Sequence, residues 1–168
     1  MQGSLYVALG GNLGDRLATL RSAVRALGEL PGTAVIRGSA VFETRPIGPS
    51  ELPYLNAVVE LTTTMVPEEL LAALKAIEVA HGRTRHTRWE ARTLDLDILV
   101  WPGVARDTEL LRVPHPELVR RDFVLAPLAG LAPELRPYRG GPTVAELLAA
   151  GISAEDRTIL RQLPELLC

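Results

Sequence analysis

Apolar and polar positions change their period several times along this chain, and the changes mark its elements. SLYVALG (Ser4–Gly10) reads as a buried strand, closed by the Gly10-Gly11 pair. Asp15 then suits a helix N-cap, because Leu17, Leu20, Val24, Leu27 and Leu30 follow as an apolar stripe at helical spacing. Pro31-Gly32 stops that helix. TAVIRGSAVFET (Thr33–Thr44) is strand-like, and RPIGPSELP (Arg45–Pro53), with its prolines and glycine, is a loop. YLNAVVELTT (Tyr54–Thr63) alternates as a strand. Pro67, Glu68 and Glu69 open a second helix, because proline fits a first turn and carboxylates favour its dipole. Leu70, Leu71, Leu74 and Ile77 carry that helix towards Gly82.

HGRTRHTRWEAR has neither period and is read as a loop. RTLDLDILV (Arg92–Val100) alternates as a strand, Pro102-Gly103 turns the chain, and VPHPE (Val113–Glu117) leads into short helical pieces. A last helix is expected near Thr143–Ala150. Strand, helix, strand, strand, helix, strand is the βαββαβ order of a ferredoxin-like α+β sandwich, an antiparallel sheet with helices, here with extra C-terminal helical elements. No repeat, linker or low-complexity segment interrupts it, so residues 1–168 are expected to be one domain.

The strand Arg92–Val100 poses the chemical question. Opposite Leu94, Leu96 and Ile98 it carries Asp95 and Asp97. Side chains at i and i+2 leave one face roughly 7 Å apart at their roots, a spacing from which two carboxylates can converge on a pair of divalent ions about 3.5–4 Å apart. All-oxygen ligation suits Mg²⁺, which uses few carboxylates together with substrate phosphates. A bare Asp-x-Asp also suits the solvated side of an antiparallel strand. Thr93 and Leu99, which flank the pair, do not suit a strongly hydrated surface.

Arg83, Arg85, Arg88 and Arg92 crowd the preceding loop together with His86. Guanidinium forks match phosphate oxygens, and arginines beside a metal-holding pair supply what polyphosphate transfer needs. A solvated loop would carry them equally well. LGGNLGDR lacks the Lys-Ser or Lys-Thr of a P-loop, and its glycines at 10, 11 and 14 miss G-x-G-x-x-G, so it is read as a tight turn before a capped helix. His81, His86 and His115 have no zinc spacing; His81 is expected to face the end of its helix, and His115 stands between two prolines. Tyr54, Trp89 and Phe123 sit beside loops, where they can offer faces to a flat heterocycle, although Phe123 could equally fill the core.

Composition narrows the field. With 47% hydrophobic and 23% charged residues this is a globular chain, and its net charge of -2 gives no field for nucleic acid or an anionic membrane. The lone Cys168 excludes an internal disulfide. The N-terminus is no signal peptide and no stretch is long enough to span a bilayer, so a cytoplasmic protein is expected.

Together, LGGNLGD, ETRPIGP with YLNAVV, RWEARTLDLDIL, VPHP and RDFVLAPL resemble the 6-hydroxymethyl-7,8-dihydropterin pyrophosphokinase family nearly end to end. The resemblance implies transfer of a pyrophosphoryl group from ATP to the pterin hydroxymethyl oxygen, releasing AMP, in folate biosynthesis. It implies two Mg²⁺ ions on Asp95 and Asp97, with Arg83 and Arg92 stabilising charge on the transferring group. Glu78, Arg85, Trp89, Ile98, His115 and Arg121 then fall on the ATP side. Tyr54 and Phe123 would sandwich the pterin, Asn56 would read its edge, and the Thr44–Gly48 backbone would add contacts. The family's usual pattern is left at Glu90-Ala91, at Arg45 where proline is more usual, and at Pro116. A monomer acting on ATP and the pterin, without nucleic acid or membrane, is expected. A two-metal phosphohydrolase would explain the carboxylates but not a pterin-sized slot. A non-catalytic nucleotide- or RNA-binding module is disfavoured by the net acidity.

Overall fold

The computed structural model describes residues 3–46, 52–82 and 93–168. In chain order the elements are β1 (Leu5–Gly11), α1 (Arg16–Gly28), β2 (Thr33–Gly38), β3 (Ala40–Thr44), β4 (Tyr54–Thr63), α2 (Pro67–Ala80) and β5 (Asp95–Val100), then β6 (Arg106–Asp107), β7 (Arg112–Val113), α3 (Asp122–Leu131), α4 (Val144–Ala150) and β8 (Ile159–Leu166). The main sheet is antiparallel in the order β5-β1-β4-β3-β8, with β2 also on β4. Its first four strands give the expected ferredoxin-like arrangement: the two split units put β5 beside β1 and β3 beside β4.

Local chemistry sets the boundaries. The Asp15 carboxylate accepts the Ala18 N–H at 3.1 Å and starts α1. Gly10 and Gly11, expected to close the first strand, belong to β1 and stay paired with Asn56 and Leu55. The segment Thr33–Thr44, expected as one strand, is two, because Ser39 interrupts it. The Ser39 N–H donates to the Val58 carbonyl at 2.8 Å, and the Val58 N–H donates to the Ser39 hydroxyl at 2.9 Å. The side chain therefore takes a ladder position, and β2 and β3 lie end to end along the ten-residue β4. β5 begins at Asp95, later than the alternation from Arg92 suggests. Thr143 caps α4 reciprocally with Glu146, where a last helix was expected.

Alternation sorts the strands onto two faces. Leu5, Val7 and Leu9 of β1, Leu55 to Leu61 at odd positions of β4, and Leu96 and Ile98 of β5 pack against Leu20, Ala23 and Leu27 of α1 and Leu70 and Leu74 of α2. On the other face Tyr6, Val58, Leu99 and Val100 pack against Val124, Leu125, Leu128 and Leu131 of α3 and Val144 of α4. Each fully buried leucine here contributes about 1.5–3 kcal/mol of transfer free energy. α3 and α4 cover only part of this second face, and the uncovered part holds the site. Among the described residues, no helix is long and apolar enough to cross a membrane.

Candidate active site

The strand register lays out the floor of the site. Gly10 pairs with Asp95 on one side and with Asn56 on the other; one step along, Ala8 pairs with Asp97 and Val58. Asp95 and Asp97 therefore stand two strands away from Asn56, about 10 Å at strand spacing, with only Ala8 and Gly10 between. On β1 this face runs Tyr6, Ala8, Gly10: the side chain shrinks as the helical cover ends. At Gly10 the close approach is direct, since a Cβ there would lie 2.6 Å from Asn56 Oδ1. The two small residues open a trough between the carboxylates and the amide.

A cavity of about 580 Å³ occupies this trough and wraps over the edge strand β5. Thr44, Tyr54, Asn56 and Phe123 line one end, and Asp95, Asp97, Ile98, His115 and Arg121 line the other. Asn56 is buried and its Nδ2 donates to Thr44 Oγ1 at 2.7 Å, which fixes both side chains of that wall. Tyr54 and Phe123 are half-buried, and the Arg121 guanidinium lies 5.5 Å from the Phe123 ring centroid. That stacking orients the arginine along the slot. Phe123 packs against the apolar cluster beneath α3 and also lines the cavity.

The carboxylate end is held from behind. Glu78 of α2 is buried, and its Oε2 accepts the backbone N–H of Leu96, the residue between the two aspartates, at 2.9 Å. As β5 is an edge strand, this carboxylate takes a donor that no further strand could satisfy. Glu78, expected on the ATP side, lines the cavity while anchoring the aspartate strand. Asp97 is exposed and Asp95 half-buried.

His115 reaches the site because its N–H donates to the Leu99 carbonyl of β5 at 2.8 Å. The Glu117 N–H approaches His115 Nδ1 at 3.1 Å. With Nδ1 accepting, the neutral ring carries its proton on Nε2. Burial pushes the imidazole pKa down, with Arg121 acting in the same direction, and this outweighs the opposing pull of Asp97 and Glu117. His81, by contrast, closes α2, its Nδ1 2.8 Å from the Ile77 carbonyl and its Nε2 2.9 Å from Ser22 Oγ. It is a structural residue, as its position at the helix end suggested.

Arg83, Arg85, Trp89, Arg92 and Gly48 lie outside the described residues, as do Arg88 and His86. Among the described residues, no cluster of three or more His, Cys, Asp and Glu side chains could hold a metal by itself. Two carboxylates on one face fit Mg²⁺ shared with substrate phosphates, and do not fit a cage built by protein alone.

The sequence model of the "7,8-dihydro-6-hydroxymethylpterin-pyrophosphokinase (HPPK)" family matches residues 6–133. The chain belongs to this family. The pyrophosphokinase of Pseudomonas aeruginosa, named 2-amino-4-hydroxy-6-hydroxymethyldihydropteridine pyrophosphokinase, is 44% identical over 147 residues, covering 87% of this chain and 90% of the relative. The Bacillus subtilis protein of the same name is 43% identical, over 80% of this chain and 81% of its own length. The folic acid synthesis protein fol1 of Schizosaccharomyces pombe is 35% identical across 82% of this chain, which corresponds to 19% of that longer protein. A solved HPPK-DHPS structure from Plasmodium falciparum superposes with a TM-score of 0.69 at 14% identity, over 89% of this chain and 43% of the other, and so shows the shared fold. The chain spans less than half of that two-part protein. The expected pyrophosphokinase assignment and α+β fold both stand.

The cavity is also lined by residues that sequence reasoning passed over. Leu71, Lys75 and Glu78 form one stripe of α2, at i, i+4 and i+7, and all three line the cavity. The apolar reading of α2 hid Leu71 and Lys75, because Leu71 was counted with the core, whereas Glu78 was already expected on the ATP side. Leu111 and Arg112, from the β6–β7 hairpin, close the same end. The segment read as a plain turn has a task as well. Asn12 donates to the Leu52 carbonyl at 3.1 Å, and Arg16 donates to the Pro53 carbonyl at 3.1 Å while pairing with Glu43 at 2.9 Å. Together they hold the chain as it enters β4 at Tyr54.

Proposed function

We infer that this chain carries out the reaction of its family through the open trough over β5, β1 and β4. Pyrophosphate passes from ATP to 6-hydroxymethyl-7,8-dihydropterin, giving AMP and the pterin diphosphate, in folate biosynthesis. The observation that carries the reading is the register Asp95–Gly10–Asn56, which puts a carboxylate pair and a fixed amide at opposite ends of one cavity.

In this reading Asp95 and Asp97 would hold Mg²⁺, two ions with ATP bound. When bound, the metal neutralises charge on the phosphate oxygens. The chain's own residues do the rest. His115, with its proton on Nε2, donates to the triphosphate, and Arg121 adds positive charge beside it. Arg83 and Arg92 are proposed to stabilise charge on the transferring group, with Arg85 and Trp89 on the ATP side. Leu71, Ile98 and Leu111 give the nucleoside an apolar surface. Tyr54 and Phe123 hold the flat pterin face to face, Asn56 and Thr44 meet its hydrogen-bonding edge, and Gly48 lies in the segment that adds backbone contacts. The pterin hydroxymethyl oxygen attacks the β-phosphorus and gives up its proton to solvent, the bond from that phosphorus to the AMP oxygen breaks, and AMP leaves. Alignment and charge neutralisation carry such transfers, so a dedicated base is not required. We propose a monomer acting in the cytoplasm on these two soluble substrates.

Product identification tests this. With ATP, Mg²⁺ and the pterin, the adenine product should be AMP, formed one for one with pterin diphosphate and absent when the pterin is withheld. ADP, or AMP made equally fast without pterin, would show another phosphotransferase or a phosphohydrolase.

A further inference from the structure

Residues 134–168 lie outside the span of the family match, yet they reach back to both walls of the pterin slot. β8 adds to the free edge of β3, pairing Ile159 with Thr44. Just before it stands Thr158, buried at 3% exposure. Its N–H donates to Asp122 Oδ2 at 2.7 Å, its hydroxyl donates to Asp122 Oδ1 at 2.5 Å, and the Ile159 N–H donates to Oδ2 at 3.1 Å. Asp122 is itself buried and sits between Arg121 and Phe123, both of which line the cavity.

The other side of Thr158 faces the opposite wall. Its carbonyl accepts the N–H of Arg45 at 2.8 Å, directly after Thr44. The Arg45 guanidinium donates to the carbonyls of Arg157 at 2.8 Å and Glu155 at 2.6 Å. These bonds need an N–H and a long side chain, neither of which a proline could supply here. Arg45 thus fastens the Thr44 side of the slot to the same short segment that Asp122 fastens to the Phe123 side.

We propose that Asp122 is a positioning residue, which through Thr158 locks Arg121 and Phe123 in register with the Thr44–Arg45 wall, so that the C-terminal strand sets the width of the pterin slot. The proposal rests on the pyrophosphokinase reading for its substrate. A carboxylate satisfies all three donors at once. An alanine satisfies none, and leaves them buried without partners. An asparagine keeps most of the arrangement, because its carbonyl oxygen accepts both backbone N–H groups while the Thr158 hydroxyl turns to accept from the amide.

The test compares Asp122→Ala, Asp122→Asn and Thr143→Ala in the full chain. Thr143→Ala weakens α4 by removing its cap but does not touch the clamp. Asp122→Ala should raise KM for the pterin about tenfold with a much smaller change in kcat, as expected when one wall of a slot is displaced. Asp122→Asn should recover most of that loss. Thr143→Ala should lower the thermal midpoint and leave both KM values alone. Hydrogen exchange at the Arg45 amide, which Asp122 does not touch, should quicken in Asp122→Ala only. Unchanged pterin KM and unchanged Arg45 protection in a folded Asp122→Ala protein would overturn the proposal, as would an equal KM rise in Thr143→Ala. If Asp122→Ala does not fold, Thr158→Val removes a single bond and is read by the same two measurements, where no change in either overturns the clamp. Failure of the unmodified chain to use the pterin would instead sink the pyrophosphokinase reading, while Arg45 exchange still decides whether the two walls are joined.

Discussion

The two faces of the main sheet are built from the same strands and do opposite work. Facing α1 and α2, Leu5, Val7 and Leu9 of β1, Leu55, Ala57, Val59 and Leu61 of β4, and Leu96 and Ile98 of β5 are all apolar and buried. On the other face the apolar run stops halfway. Tyr6, Val58 and Leu99 lie under α3, and beyond them come Ala8, Gly10, Asn56, Asp95 and Asp97. A face filled to its ends yields stability. A face left half-filled, with small residues where the cover ends, yields a polar trough backed by the filled first face. Core and site thus lie mainly on opposite faces of the sheet, and they meet at the edge strand β5, where Leu96 and Ile98 belong to both and the buried Glu78 of α2 also lines the cavity.

Asp97→Ala breaks the comparison most sharply. Loss of charge stabilisation at the transferring phosphates should lower kcat/KM by about 10²–10³-fold. Thermal unfolding should barely move, because Asp97 is exposed and changes at exposed positions are worth about 0.5 kcal/mol or less. Leu74→Ala should do the reverse, costing about 2–5 kcal/mol in denaturant unfolding with kcat largely kept at temperatures where the protein is folded. Equal damage to rate and stability by either variant would contradict the division of labour. Glu78→Gln tests the join between faces. Replacing the carboxylate that accepts the Leu96 N–H should reduce kcat/KM by roughly tenfold and stability by about 1–2 kcal/mol, since a charged acceptor becomes a neutral one.

The smallest effect is expected at the far end of the second face, where Arg37 bridges the Glu60 carboxylate at 2.6 Å and the Leu131 carbonyl at 2.5 Å, tying the last turn of α3 to the sheet. Burial would raise the Glu60 pKa, but hydrogen bonds from Ser4 and Arg37 and the charge of Arg37 outweigh it and hold the carboxyl below its ordinary value. A carboxyl lowered on folding stabilises the native state fully above its unfolded pKa, about 4.3 for glutamate, and loses that contribution as pH falls through the lower folded value. Acid unfolding of Glu60→Gln should therefore show a shallower loss of stability below that pH. An unchanged acid limb would mean that the bridge contributes nothing.

The same division explains what was legible in the sequence. The βαββαβ core announced itself because most of its elements have one largely apolar face, so period alone reports them. Asp95 and Asp97 stood out as carboxylates on a strand, and Tyr54 and Phe123 as aromatics beside loops, whereas Asn56 came only through the family resemblance. The break at Ser39 was invisible, because a hydroxyl that takes over a ladder hydrogen bond leaves the alternation around it intact. α3 was expected only as part of some short helical pieces, because it is apolar nearly all round and contains Pro127, so it shows neither a stripe nor clean helix chemistry. β8 escaped because its pairing with β3 shifts register twice and Pro164 interrupts the pattern, which an outermost strand tolerates. Asp122 and Arg45 acquire meaning only once residues about 36 and 112 positions away are brought to them.

A crystal structure of the chain with Mg²⁺, a non-hydrolysable ATP analogue and the pterin tests the central claim most directly. The account predicts metal on the carboxylates of both Asp95 and Asp97, the pterin between Tyr54 and Phe123, and its hydroxymethyl oxygen about 3–3.5 Å from the β-phosphorus, in line with the bond to be broken. A triphosphate bound away from β5, with the two aspartates turned to solvent, would contradict it.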